Sequence, residues 1–244
     1  MTYLKTIPFI NHINFDILKL IALVAMTLDH IGNVLFPGEH LFLRYIGRMA
    51  FPIFAFLIAT HLTHNENFKK YILRLLPFAI ITSLIIIPFE ISYDKPFKLN
   101  ILWTFLISIC GVYSFKCIKK ENLPKIIAYF FYFMTFLFIY CLSLISDYYF
   151  NGVCFILVLY IYLKTKKVIP LLGVLFLSFL LNTKGYANHP TEVIIMSCIG
   201  FLTTLFLLTL KFNKPQRRFL KPWWLVYSYF PLHLVILYMI RTYM

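Results

Sequence analysis

Long apolar runs alternate with short polar breaks along the whole chain. Nine runs stand out, at roughly 17–37, 42–62, 71–90, 99–117, 124–145, 151–163, 168–182, 192–210 and 224–242. A membrane helix needs about 20 mostly apolar residues, because it rises 1.5 Å per residue through a hydrocarbon layer about 30 Å thick. The runs 151–163 and 168–182 fall short of that length. They are expected to tilt, to thin the bilayer locally, or to lie partly inside the bundle. Helix breakers separate the runs: Pro37-Gly38, Asn65, Pro96, Pro124, Asn151-Gly152, Pro170, Pro190 and Pro215. No internal repeat is visible. The pattern predicts an all-α, polytopic transmembrane helical bundle of about nine membrane segments, a single domain over 1–244.

Composition agrees. The sequence is 61% hydrophobic and 13% charged, against about 25% charged in a soluble domain. That much apolar surface has no soluble hiding place, so a multi-pass membrane protein is expected, together with its lipids. The N-terminus lacks a basic region followed by a short apolar core and a cleavage site, so no cleavable signal peptide is expected. The five cysteines sit in or beside apolar runs without a CxxC pair, which fits packing residues rather than a disulfide or a metal site.

The net charge of +14 would raise nucleic acid as a partner in a soluble protein. Here the basic residues are scattered between apolar runs, without a basic stripe or an RNA-binding signature, and no nucleic acid is expected. Their distribution reports topology instead. With the N-terminus cytoplasmic, seventeen Lys and Arg fall on the inner side and six on the outer, the bias expected of a protein with its N-terminus inside and C-terminus outside. The pair 223-WW-224 then opens the last span at the interface.

Ionisable residues inside a membrane are costly and mostly face the bundle interior. Asp29 and His30 lie in the first run, and residue 30 is about 20 Å above its start, in the outer half. Arg44 and Arg48 begin the second run at a similar depth and, four apart, share one helix face. Two readings stand side by side: an ion pair pinning the first two helices, or a histidine general base with charged neighbours. Asp29 points about 100° around the helix from His30 and is placed to pair with an arginine.

Three further groups carry candidate chemistry. His61 and His64 precede a basic stretch of Lys69, Lys70 and Arg74. Two histidines are too few to hold a metal ion, and none is expected; the stretch reads as a phosphate-binding surface or as ordinary cytoplasmic lysines. Pro231 kinks the last run beside His233, which reads as a packed histidine or a second catalytic group. Asn100 and Asp147 are polar positions at the edges of other runs.

The stretches 18-LKLIALVAMTLDHIG-32, 43-LRYIGRMAFPIFAFLIA-59, 71-YILRLLPFAIIT-82, 99-LNILWT-104, 147-DYYFNGV-153 and 229-YFPLHLVILY-238 together resemble the TraX family, nearly end to end. Its members are membrane proteins linked to N-terminal acetylation of pilin. The stretch 59-ATHLTHNEN-67 departs from the family pattern, in which an acidic residue and a glycine follow the alanine. A fainter likeness joins Asp16, Lys19 and His30 to the opening of the type-three membrane acyltransferases, in which an aspartate, a basic residue and an essential histidine have this spacing.

The resemblance implies an acyltransferase of the bacterial cytoplasmic (inner) membrane. Acetyl-CoA would be its co-substrate and the N-terminal amine of a pilin subunit its most natural acceptor. His30 would be the base, with Arg44, Arg48 and Asp29 about the reacting group. Lys69, Lys70 and Arg74 would meet the phosphates of the donor, and His233, Asn100, Asp147 and His61 follow as second-rank candidates. Rival readings are O-acetylation of an envelope glycan or lipid, a transporter with a His/Arg site, and a non-catalytic assembly protein.

Overall fold

The computed structural model describes residues 14–65, 67–92, 98–121, 123–182, 190–210 and 224–244, without the side chains of 89–92. Lys5, Lys95, Lys184, Lys211, Lys214, Arg217, Arg218, Lys221, Trp223, Pro96, Pro215 and the side chain of Glu90 lie outside that description.

Among the described residues ten helices cover the nine apolar runs: α1 (Phe15–Val34), α2 (Leu41–Gly47), α3 (Ala50–His64), α4 (Phe68–Ser92), α5 (Ile101–Lys120), α6 (Lys125–Leu144), α7 (Tyr149–Thr165), α8 (Val168–Leu180), α9 (Pro190–Thr209) and α10 (Trp224–Tyr243). Among the described residues there is no strand beyond an isolated bridge between Leu99 and Ser146. This is what lipid demands, since a helix satisfies its backbone groups within one segment. Several buried hydroxyls follow the same rule: Ser108 and Thr204 donate to the carbonyls of Thr104 and Gly200, each at 2.8 Å.

α1 begins where Asn14 Oδ1 accepts the Asp16 N–H at 2.9 Å, an ordinary N-cap. Asp16 is buried and accepts from Lys19 Nζ at 2.7 Å, so the first charged turn is neutralised within itself.

The run at 42–62 was expected to be one helix and is two. Pro52 has no N–H to offer the Arg48 carbonyl, and the chain breaks at Arg48 and Met49 between α2 and α3. The two pieces still make one crossing of 24 residues, Leu41–His64.

Among the described residues seven segments are long and apolar enough to cross a membrane, and the protein is a multi-pass membrane protein. α7 and α8 are shorter, with 17 and 13 residues, or about 25 and 20 Å of helix. They form an antiparallel hairpin: Asn151 Nδ2 donates to the Leu180 carbonyl at 3.3 Å, and Gly173 packs on Val158. α7 is buried between α3, α5 and α8, with Val153, Phe155 and Ile156 inaccessible. α6 is the reverse, presenting Ile126, Tyr129 and Phe138 outward, as a lipid-facing helix does.

α1 and α10 run parallel. Thr27 pairs with Tyr229, His30 with His233, and Arg241 Nη1 donates to the Val34 carbonyl at 2.9 Å. Parallel neighbours need an even number of crossings from the start of α1 to the start of α10. Because α7 and α8 run out and back, seven crossings and nine both meet that condition. One end of the bundle carries Arg44, Arg48, Lys98 and Arg241; the other carries Lys69, Lys70, Lys116, Lys119, Lys120, Lys125, Lys164, Lys166 and Lys167. They are called the arginine end and the lysine end below.

Candidate functional site

Asp29 and His30 diverge from α1 as their 100° separation requires. Asp29 turns to α2. Its Oδ1 accepts from Arg48 Nη2 at 2.7 Å and lies 3.5 Å from Arg44 Nε, while Arg44 Nη1 donates to the Asp29 carbonyl at 3.3 Å. The two arginines, one turn apart, therefore close on one carboxylate from the same helix face. Glycine makes the approach possible: a Cβ on Gly47 would lie 2.3 Å from the Asp29 Cβ. Gly32 gives the same clearance on α1, where a Cβ would stand 3.1 Å from that of Leu43.

Arg48 also reaches the far side of the bundle. Its Nη1 donates to Asn182 Oδ1 at 3.4 Å, just past the end of α8, and Asn182 Nδ2 donates to the Met196 carbonyl of α9 at 3.1 Å. A single guanidinium thus joins α1, α2, α8 and α9.

His30 turns to α10. Its Nδ1 stands 2.8 Å from His233 Nε2, and His233 Nδ1 stands 2.8 Å from the Tyr229 carbonyl. A carbonyl only accepts, so His233 carries its proton on Nδ1. With both rings neutral, His233 Nε2 is then an acceptor and His30 Nδ1 the donor to it. The lone pair of His30 is left on Nε2, which makes no hydrogen bond among the described residues. Proton uptake at Nε2 breaks no bond in this arrangement, since the imidazolium still donates from Nδ1.

A second tier holds the pair. The Tyr229 ring stacks on His233 at 5.1 Å and 10°. Thr27 donates to the Leu23 carbonyl at 2.8 Å, which leaves the Tyr229 hydroxyl to donate to Thr27 at 2.7 Å. Phe230 closes edge-on against both imidazoles.

The basic stretch stands apart. Lys69 and Lys70 are exposed at the start of α4, beyond the far end of α3 from Arg48, about 20 Å of helix away. They are not in contact with His30. A bridge does exist: Tyr71 hydrogen-bonds Tyr227 of α10 and meets the His61 ring edge-on at 4.9 Å. Tyr227 lies six residues before His233, about 9 Å of helix rise. His64 bonds locally, with Nδ1 2.9 Å from the Thr60 carbonyl.

Asn100 is committed to structure. Its Oδ1 caps α5 by accepting from the Leu102 N–H at 3.0 Å, and its Nδ2 donates to the Ala79 carbonyl and Ser83 Oγ of α4. Asp147 is exposed at the arginine end, within electrostatic reach of Lys98, Arg48, Asp29 and Arg44. Its backbone is fixed on both sides: the N–H donates to the Leu99 carbonyl at 2.9 Å, and the carbonyl accepts from Thr104 Oγ1 at 2.6 Å.

Tyr148 and Tyr149 follow in the left-handed region, with φ 59° and 48°. Each costs on the order of 1–2 kcal/mol for a side chain other than glycine. Gly152 accommodates the turn, since a Cβ there would lie 2.6 Å from the Tyr148 Cβ. Sequence reading passed over Thr27, Gly47, Tyr148, Asn182 and Tyr229. Tyr229 and Thr27 carried a readable signal, lying one turn before His233 and near one turn before His30.

A depression of about 300 Å³ beside α1 is lined by Leu20, Ile21, Val24, Ala25, Ile46 and Met49. It is wholly apolar and includes none of the polar residues above.

Comparison with known proteins places the chain. A probable fimbrial assembly protein of Dichelobacter nodosus (FimC, serogroup H1) is 28% identical over 235 residues, covering 90% of this chain and 92% of its own length. RP591, an uncharacterized protein of Rickettsia prowazekii (strain Madrid E), is 32% identical over 107 residues, or 43% of this chain. That alignment spans only 40% of the Rickettsia protein. No solved structure matches. The model of the TraX protein family matches residues 14–241, nearly the whole chain, and the protein belongs to the TraX family.

Proposed function

We propose that this protein is an acetyl-CoA-dependent acyltransferase of the bacterial inner membrane, and that it acetylates the N-terminal amine of a pilin subunit. The observation that carries the reading is the His30–His233–Tyr229 relay, which leaves a lone pair on His30 Nε2. TraX membership and the fimbrial name of the Dichelobacter relative favour a pilin acceptor.

In the reaction His30 Nε2 takes a proton from the acceptor amine as its nitrogen attacks the thioester carbonyl. The tetrahedral intermediate collapses, the C–S bond breaks, and the proton passes from His30 to the departing thiolate. The products are an acetylated amine and free CoA. His233 keeps the His30 proton on Nδ1 throughout. Arg44 and Arg48 stabilise the oxyanion or orient an acidic group of the acceptor. Asp29 holds the two guanidiniums together.

Topology follows from charge. The lysine end faces the cytoplasm under the positive-inside rule, which puts the N-terminus inside and His30 in the outer half. Lys69, Lys70 and Arg74 receive the phosphates of the donor, and the Tyr71–Tyr227 contact lies between them and His233. The donor comes from inside while a membrane-anchored pilin presents its amine near the outer face. The single domain spans residues 1–244.

Mass spectrometry of membrane and surface fractions, with and without the gene, tests this reading. Loss of an acetyl group from a pilin N-terminus is the expected result. An unchanged pilin with a deacetylated glycan would assign the same chemistry to a hydroxyl acceptor.

A further inference from the structure

Buried threonines in this bundle turn their hydroxyls back onto their own helix. Thr203 and Thr204 donate to the carbonyls four residues earlier, each at 2.8 Å. Thr82 of α4 does not. Its side chain is inaccessible to solvent, and its Oγ1 makes no hydrogen bond among the described residues. An unsatisfied buried hydroxyl costs stability that a valine of nearly the same shape would not. Thr60 of α3 and Ser197 of α9 share the condition. What sets Thr82 apart is its place.

α4 and α10 both start at the lysine end and pack side by side. Tyr71, Phe78 and Thr82 are seven and four residues apart, so they lie along one face of α4. That face meets α10: the Tyr71 hydroxyl bonds Tyr227, and the Phe78 ring packs on the same tyrosine at 5.6 Å. The side toward α5 is a different one, marked by Ser83, whose Oγ accepts from Asn100 and Trp103. Tyr71 and Phe78 bracket Tyr227, so Thr82, one turn past Phe78, stands near the level of His233. At the other end Lys69 and Lys70 directly precede Tyr71, and Arg74 follows within a turn. The seam thus runs from cations toward the histidine pair, about 18 Å of helix from Lys70 to Thr82. Both of its helices carry an internal proline, Pro77 in α4 and Pro231 in α10, which removes a ladder bond and lets a helix bend.

We infer that the α4–α10 seam holds the pantetheine arm of the donor, with Thr82 Oγ1 hydrogen-bonding one amide of that arm and the Tyr71–Tyr227 phenols the other. The inference rests on the proposed function for the identity of the donor. The arm carries two amides on a flexible chain, each with one N–H and one carbonyl, and once buried both need partners. A threonine hydroxyl serves either group, having one proton and two lone pairs. The order along the seam matches the order along the donor: cations for the phosphates, then the tyrosine pair, then Thr82 near the thioester.

The test is equilibrium binding to the purified full-length protein in detergent, read as Kd by titration calorimetry. The probes are CoA, which carries the arm, and 3′-phospho-ADP, which carries the same phosphates without it. The wild type should prefer CoA. Thr82→Val keeps the shape and removes the hydroxyl, and should weaken CoA about fivefold, the loss of one hydrogen bond, with 3′-phospho-ADP unaffected. Its unfolding midpoint should not fall, since valine leaves no polar group unsatisfied. Thr82→Ser restores the hydroxyl and should recover CoA affinity, and Tyr71→Phe should weaken CoA alone. Unchanged CoA affinity in Thr82→Val, equal weakening of both probes, or no preference of the wild type for CoA overturns the inference. CoA binding as expected in a protein that transfers no acetyl group overturns the proposed reaction and leaves the seam standing.

Discussion

His30 Nδ1 and His233 Nε2 face each other at 2.8 Å across the parallel contact of α1 and α10. The Tyr229 carbonyl, 2.8 Å from His233 Nδ1, sets the direction of both protons. In the proposed reaction His233 is thus a positioning residue. It decides which nitrogen of His30 is basic and steadies the imidazolium once that nitrogen is protonated.

Replacing His233 should separate positioning from packing. His233→Phe fills the space but removes the acceptor for His30 Nδ1–H, and kcat for acetyl transfer should fall at least about a hundredfold, as wrong-tautomer catalysis does elsewhere. His233→Gln offers a side-chain carbonyl to the same proton and should recover part of the loss. The KM for acetyl-CoA should stay near the wild-type value in both. Full activity in the phenylalanine variant would show that the relay has no part in the chemistry.

Gly47→Ala tests the α1–α2 contact. The new methyl would land on the Asp29 side chain, 2.3 Å from its Cβ and 2.6 Å from its Cγ. Overpacking of this kind costs about 1–3 kcal/mol. A lowered unfolding midpoint in detergent is expected, with transfer reduced as the Asp29–Arg48 pair opens. An unchanged midpoint would mean that the two helices separate freely.

Arg48→Lys retains the charge and loses the fork. The guanidinium reaches Asp29 and Asn182 with different nitrogens, whereas an ammonium is a single point. Transfer should drop by an order of magnitude or more. Asn182→Leu should lower it less, since Arg48 then keeps Asp29. Comparing kcat of the two variants checks the order, and a wild-type rate in Arg48→Lys would reduce the residue to a structural charge.

Asn100→Ala should behave oppositely. Its amide caps α5 and straps α4, so removal should cost about 1–2 kcal/mol of stability. The folded fraction should keep the wild-type kcat. A lower kcat at full stability would return Asn100 to the reacting groups.

Much of the fold was legible because lipid enforces simple rules. Each apolar run became helix, and the runs at 151–163 and 168–182 proved as short as their sequence. The divergence of Asp29 toward an arginine followed from helix geometry, and it holds. The break at Arg48 was hidden in plain view: Pro52 was read within a continuous span, though it deprives one carbonyl of its partner. The His30–His233 contact lay beyond sequence reasoning, because 203 residues separate the two and no local pattern encodes which helices become neighbours. Asn182 was missed for the same reason. Asn100 looked like a spare amide until the structure brought α4 against it.

The most direct test of the central claim uses purified protein, labelled acetyl-CoA and a peptide bearing a pilin N-terminus, with the peptide mass as readout. The wild type should add one acetyl group to the terminal amine. His30→Ala, folded to the same unfolding midpoint, should add none above background. Acetylation by His30→Ala at the wild-type rate would contradict the account.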